Sequence, residues 1–321
     1  MSRKTKTWLI ITVSLIGLGC ILFGGVMTVL NWDFTKLGTM KYETNSHSLE
    51  EAIIDINIAT KTADVIIRPS GEEEISVICY EQTRAKHTVA IKDGVLEIRM
   101  ADERKWYDYI GINFRSPRIT VSIPQGQYGA LSVLGSTGRV NIPAGYGFAS
   151  MDVSVSTGNV TCTASVTDEM KIKSTTGSIH LQELSADTLA ISTSTGKITA
   201  QKVSCAGAVS LKISTGDINL TDFRCQSLTA KGDTSDILLK DVVVEEMMSV
   251  DTDTGKVKFD HCDAGEMQIK TDTGSVTGSL LSPKIFFAEA DTGKIDVPKT
   301  TTGGKCEITT DTGDIRITVT E

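Results

Sequence analysis

Aromatic residues are scarce in this 321-residue chain: 3 Trp, 6 Tyr and 8 Phe make 17. That shortage argues against an ordinary globular core built on large rings. No basic block is present and the net charge is −8, which argues against nucleic-acid binding. There is no P-loop, no Ser-His-Asp order and no dinucleotide fingerprint. The four histidines, His47, His87, His180 and His261, show no metal-ligand spacing. Hydrophobic residues nevertheless make up 40%, too many for a disordered chain.

The longest apolar run lies at the start. Trp8 to Leu30 carries no charge, and Arg3, Lys4 and Lys6 precede it. At ~1.5 Å rise per residue such a helix spans a ~30 Å hydrocarbon core. Basic residues on its N-terminal side predict a cytoplasmic tail at 1–7, a transmembrane helix at 8–30 and a juxtamembrane spacer at 31–41. Residues 31–321 then lie outside the cell. Without the three basic residues of the tail, that part carries −11. Trp8 and Trp32 mark the two interfaces. A cleaved signal peptide is the alternative, but the run is long for one and no small-residue cleavage site follows. Cys20 lacks the flanking residues of a lipoprotein site.

From residue 131 the chain repeats itself. A Ser/Asp-Thr-Gly step ends at Gly138, Gly158, Gly177, Gly196, Gly216, Ser235, Gly255, Gly274, Gly293 and Gly313. The intervals are 19 or 20 residues. The residue before each marker is always Thr, and the second after it is always Val or Ile, from Val140 to Ile315. The positions seven and five before it are apolar. Apolar positions thus alternate with period two on both sides of the marker. Each copy reads as strand, bend, strand, with the bend at Thr-Gly; Thr157-Gly158, Thr195-Gly196, Thr254-Gly255 and Thr292-Gly293 are examples. One such unit cannot bury its face alone. Stacking at ~4.8 Å makes an all-β parallel solenoid of ten coils over 131–321, a rod on the order of 50 Å long. Narrow interior columns explain the aliphatics.

A worn copy lies upstream, where Ile56, Ile58, Thr60, Thr62, Ala63, Val65 and Ile67 match the columns. Around it, Ile75–Tyr80, Val89–Met100 (turning at Asp93-Gly94) and Ile119–Ile123 look like strands. Residues 42–130 therefore read as an irregular β cap containing one degenerate coil, shielding the open core edge. The final strand, Ile315 to Val319, is expected to leave an open end.

On steps such as Ser156-Thr157-Gly158-Asn159-Val160 and Asp253-Thr254-Gly255-Lys256-Val257, residues 50–321 resemble the bacterial putative-adhesin β-strand-repeat family of unknown function. The resemblance implies a β-solenoid on the outer face of the envelope behind one N-terminal anchor. It implies no catalytic residues.

Several constellations carry a chemical reading beside a structural one. Asp-Thr-Gly is also the aspartic-protease tripeptide, but here it recurs at the coil period and grades into Ser-Thr-Gly, as a turn residue would. Asp233, Asp253, Asp272, Asp291 and Asp311 form an outward ladder, which is either a solvated turn column or a weak cation site of the calcium type. Lys256 and Lys294 stand near enough to neutralise it. The Thr-x-Thr steps point inward by parity and serve hydrogen bonding in the bend, rather than ordering ice-like water. Cys205 and Cys225 each lie nine residues after their marker, so they stack in adjacent coils as a candidate disulfide. Cys162, Cys262 and Cys306 fall in apolar columns. Arg104, Trp106, Tyr107 and Tyr109 form a dense cationic and aromatic cluster, either a lid over the first coil or a partner contact.

The leading functional expectation is a non-catalytic, adhesin-like surface solenoid without a cofactor. It would be anchored in the membrane through 8–30 and contact an envelope protein or a surface glycan. The alternatives are an accessory or sensory ectodomain in the envelope-stress response and a polysaccharide-active β-helix enzyme. The even period leaves no room for cleft-building loops, which disfavours the enzyme.

Overall fold

The structure is a computed structural model that describes residues 2–34, 40–71, 74–106 and 116–320. Helix α1 (Arg3–Val29) is capped by Ser2, whose hydroxyl accepts from the Thr5 N–H. It is long and apolar enough to cross a bilayer. The strands that follow are β1 (Tyr42–Leu49), β2 (Asp55–Thr60), β3 (Asp64–Pro69), β4 (Ile75–Gln82), β5 (Ala85–Lys92), β6 (Val95–Asp102), β7 (Arg118–Ile123), β8 (Gly126–Thr137) and β9 (Val140–Ile142). From there to Val319 nearly everything is strand, in one parallel hydrogen-bonded system.

The Gly177 coil shows the unit. Met170, Ile172 and Ser174 point inward from its first run, Ile179 and Leu181 from the second, and Leu184 and Ala186 from a third. All seven are buried, and the residues between them face out. The columns stack in register: Met151 on Met170, Met170 on Leu189, Leu189 on Val209, Val209 on Leu228. The all-β solenoid expected from the period is thus present. The two-strand unit was incomplete, however, because each of these coils has a second bend. It falls six residues after the marker, at Glu183, Lys202, Asp222, Asp241 and His261, with φ of 51–53°. These residues adopt the left-handed conformation without being glycine, so no residue type advertises the corner.

The first bend is made by backbone crowding. A β-carbon on Gly158 would stand 1.9 Å from the Gly138 carbonyl oxygen, and one on Gly177 2.0 Å from that of Gly158. Their φ of 152° is glycine territory as well. The polar groups at the bend are also paired. The Gly158 N–H donates to the Thr176 carbonyl at 2.9 Å, and the Gly177 N–H to that of Thr195. Inward hydroxyls three residues before the marker donate back to the preceding coil: Ser174 to Gly158 O, Thr193 to Gly177 O, Thr271 to Gly255 O and Thr310 to Gly274 O, at 3.0–3.2 Å. Parity therefore holds for the first Thr of each Thr-x-Thr. The second faces solvent instead, as at Thr195 and Thr254, because the bend breaks the alternation. Ser235 is the one marker that is not glycine. The glycine has moved to Gly232, and the Ser235 hydroxyl fills the space it leaves, 3.2 Å from Thr252 Oγ1.

Both ends of the rod depart from sequential stacking. At the N-terminal end, β2 and β3 lie between β8/β9 on one side and β6/β7 on the other: Ile56 pairs with both Leu131 and Leu96, Val65 with both Val140 and Ile119. At the other end, Thr312 pairs with Thr273 and Thr292, and Ile315 with Val276 and Ile295. The last coil in sequence is thus threaded between the Gly274 and Gly293 coils. The expected open end at Ile315–Val319 is therefore closed, with Ile315 0% and Ile317 3% exposed. The open edge belongs to 285–296, where Phe287 is 54% and Ile295 46% exposed. Beyond β6 and β7 the parallel order stops. β5 runs antiparallel to β6 through the Asp93-Gly94 turn, β4 antiparallel to β7, and β1 antiparallel to β4.

Cys205 and Cys225, the candidate pair, occupy adjacent coils, and all seven cysteines are free thiols in the structure. Both point into the core, where the ladder is held by backbone hydrogen bonds and no covalent link is needed. Burial pushes the thiols of Cys162, Cys205, Cys225 and Cys306 up to about 12.

Three outcomes follow from this architecture. Gly177→Ala should lose at least ~3 kcal/mol in chemical denaturation, since the residue can neither keep its φ nor clear the Gly158 carbonyl. Deleting residues 305–321 should abolish hydrogen-exchange protection in 285–296 as well, because that coil pairs only with the threaded one. Native protein at pH 8 should resist iodoacetamide at its six buried cysteines and take up six labels there after unfolding; fewer than six would reveal a bridge.

Candidate functional site

The first run of each coil presents an outward column four residues before the marker. Registers give its order as Arg99, Ala59, Leu134, Ser154, Lys173, Ser192, Lys212 and Lys231. The neighbouring column runs Ser136, Ser156, Thr175, Ser194, Ser214 and Asp233 before turning wholly acidic. Two shallow grooves lie along this face. One, of ≈ 540 Å³, is lined by Asn57, Lys61, Arg99, Ser136, Ser154 and Ser156 among others. The next, of ≈ 450 Å³, is lined by Lys173, Ser192, Ser194, Lys212, Ser214 and Lys231 among others. They occupy successive coils of the same run and together make a trough of hydroxyls and cations, bounded at its far end by the Asp233 carboxylate.

The cations differ in how far they are committed. Lys61 is bound to Asp102 at 3.0 Å and Arg99 to Glu97 at 2.9 Å. Lys231 reaches Asp251 of the next coil at 3.7 Å. No carboxylate of the described residues comes within ion-pair distance of Lys173 or Lys212. These two ammonium groups stand two coils apart, with Ser192 between them. Such a surface can cradle an extended, hydroxyl-rich, acidic chain by hydrogen bonds and charge. Most of its groups do not converge on one atom; the exception is Thr60, in the wall of the first groove, whose Oγ1 lies 2.9 Å from His87 Nε2.

The sequence had pointed elsewhere. Asp233, Asp253, Asp272, Asp291 and Asp311 do face outward, but threading places Asp311 between Asp272 and Asp291. The cation beside this ladder is Lys270, 3.2 Å from Asp272, rather than Lys256 or Lys294. The latter two engage the bend through their backbone N–H groups, which donate to the side chains of Asp236 and Asp314. Arg104 is turned inward. Its guanidinium forks onto the Asp102 carboxylate at 2.7 and 2.8 Å with the side chain only 7% exposed, and it holds Asp102 well below the ordinary carboxylate range. Trp106 is 76% exposed. Tyr107 and Tyr109 lie outside the described residues. Thr157, Thr195, Thr254 and Thr292 with their glycines form the bends described above.

One grouping escaped the search for metal-ligand spacing. Cys79, Glu81 and His87, all buried, bring their donor atoms within 4.8 Å of one another. β4 and β5 pair only at Gln82–Ala85 before β5 turns away to β6, and Glu81 and His87 meet in the wedge this opens. A Cys-x-Glu alternation ahead of a tight turn was the signal available. The divergence of the hairpin, which brings His87 across, is a tertiary effect.

Several solved bacterial structures are similar to this chain. A "putative adhesin" from Bacteroides fragilis is 14% identical, with 87% of this chain and 97% of that one covered at a TM-score of 0.44. A "putative adhesin" from Parabacteroides distasonis is 13% identical, with 87% and 98% covered at 0.46. A "putative lipid binding protein" from the same species is 13% identical, with 88% and 98% covered at 0.36. No curated protein matches the chain. Residues 53–242 and 226–321 both match one family of repeat proteins. The chain belongs to the family described as Toastrack DUF4097.

Proposed function

We propose that this protein is a membrane-anchored rod of the bacterial cell surface that binds an acidic surface glycan along the trough of its first β run. Arg3, Lys4 and Lys6 hold the N-terminus of α1 inside the cell, and the solenoid stands outside. The binding is adhesin-like and non-catalytic. The observation that carries this reading is the Lys173, Ser192, Lys212 sequence of the trough. On a chain whose exported part is strongly acidic, two uncommitted ammonium groups flanked by hydroxyls mark the place where an anionic polymer meets least repulsion. Repeat rods offer long regular surfaces suited to such ligands.

The test is equilibrium binding of the detergent-solubilised full chain to acidic and neutral polysaccharides. The acidic polymer should bind, and the affinity should fall as salt rises. Lys173→Glu with Lys212→Glu should weaken binding by about tenfold or more, the equivalent of ~1.4 kcal/mol. Lys258→Glu, on the second run of another coil, should leave it unchanged. Equal binding by the double variant, or equal binding of neutral polymer, would overturn the assignment.

A further inference from the structure

At the N-terminal end the aliphatic core stops at a polar cluster. Cys79 is 0% and Glu81 1% exposed, and the side chains of Glu81 and His87 are each 1% exposed. Glu81 Oε2 lies 2.6 Å from His87 Nδ1 and also accepts the His87 backbone N–H at 2.6 Å. Asn45 Nδ2 donates to Glu81 Oε1 at 2.7 Å, and Thr60 Oγ1 lies 2.9 Å from His87 Nε2. A second imidazole stands on the same sheet face. Asn45 is opposite Cys79 and His47 opposite Val77, so His47 is diagonal to Cys79. Its Nε2 is buried with no hydrogen-bond partner.

This cluster is unlike the other inward polar groups. Along the rod most are Ser and Thr hydroxyls bonded to a carbonyl, as at Ser174, Thr193, Thr271 and Thr310. The buried Asp64 and Lys284 are each tied to a more exposed partner, Arg139 at 2.9 Å and Asp263 at 2.7 Å. Among the described residues, only Glu81 and His87 are fully withdrawn from water together, beside a thiol. A buried carboxylate is costly unless its charge is balanced. A divalent cation ligated by one thiolate, one carboxylate and a neutral imidazole is balanced. The donor set is mixed sulfur, nitrogen and oxygen, which suits zinc and its neighbours rather than calcium or magnesium.

We propose that Cys79, Glu81 and His87 form a binding site for one borderline-soft divalent cation of the zinc class, with His47 the candidate for the fourth position. On binding, the Cys79 thiol proton leaves to solvent as the metal–sulfur bond forms. The proton held between Glu81 and His87 passes to His87 Nε2, which then donates to Thr60 Oγ1, so the imidazole stays neutral and its Nδ1 is free to bind the metal. Glu81 Oε2 and His87 Nδ1, now 2.6 Å apart, must part by roughly 0.7 Å to seat a tetrahedral ion at ~2.0–2.1 Å from each, and the splayed β4–β5 wedge permits it. The ion would join β4 to β5 and, through His47, to β1, closing the end of the core. The site lies behind the N-terminal groove of the trough, reached through Thr60, but its test reads metal binding alone and stands or falls independently of the glycan.

Cobalt titration of the chelator-treated full chain in detergent tests this. A thiolate-to-cobalt band in the near ultraviolet, with intense visible bands of four-coordinate cobalt, should saturate at one equivalent and be displaced by zinc. Cys79→Ser should lose the near-ultraviolet band, whereas Cys262→Ser should keep it. Glu81→Gln should retain the band with affinity at least tenfold weaker. Zinc should raise the melting temperature of the wild type and leave that of His87→Gln unmoved. A featureless wild-type titration, a band that survives Cys79→Ser, or an equal zinc shift in His87→Gln would overturn the site. The wild-type titration decides the matter even where a variant fails to fold.

Discussion

The carbonyl oxygen of each marker residue sits where a β-carbon of the next coil's marker would have to be. That single close approach sets the rest of the rod. It demands glycine, and glycine at a φ near 150° lets the strand bend sharply without leaving the ladder. The bend then fixes which side chains alternate inward before and after it. It also brings the hydroxyl three residues earlier under the preceding coil's carbonyl, so a buried polar group is satisfied without water. The Gly232 and Ser235 pair confirms the logic by exception. Where the marker carries a side chain, that side chain turns inward and the glycine moves to make room, leaving the total volume and the hydroxyl as in other coils.

What the sequence disclosed was what recurs by residue type. The Thr-Gly marker, the Val/Ile column and the apolar positions before the bend all appear as columns, because each obeys one physical requirement in every coil. The second bend did not appear, because left-handed Glu183, Lys202, Asp222, Asp241 and His261 share a conformation rather than a chemistry. The threading at the C-terminal end was hidden for the opposite reason. The Gly274, Gly293 and Gly313 coils carry the same residues in the same columns, so local register chemistry fits either order. Only the less aliphatic inward set of the outer coil, with Ala288 and Ala290, and the break at Pro298 to Gly304 hint that 285–296 is the end. The trough was legible as separate residues but not as a surface: Lys173 and Lys212 are unremarkable until the register sets them two coils apart with a serine between.

The same columns divide the rod electrostatically. Two residues before the marker, the series is Ser or Thr through Ser214 and Asp from Asp233 onward. Both versions serve the turn equally well, since either oxygen can bond local backbone. The change therefore costs the fold little while reversing the character of the face. An acidic polymer lying along Lys173 and Lys212 meets repulsion from Asp233, Asp253 and Asp272 as it extends toward the C-terminal coils. The C-terminal half thus limits how far such a ligand can run.

Were α1 to anchor the chain in a membrane, its link to the solenoid would bear on which end of that face lies nearer the bilayer. Twelve residues separate Val29 from Tyr42, a reach of at most ~40–45 Å, and Tyr42 opens the strand at the cap's edge. With α1 as the anchor, the cap lies on the bilayer side and the Phe287 edge lies away from it. Within the cap the hydrogen-bonded route from the solenoid to β1 runs through β3, β7 and β4. In that path β1 is joined to β4 by one antiparallel ladder, and β4 barely pairs with β5. The cap's weakest hydrogen-bonded seam therefore falls where Glu81, His87 and Asn45 meet. Their buried cluster supplies the cross-strand link that the backbone there does not.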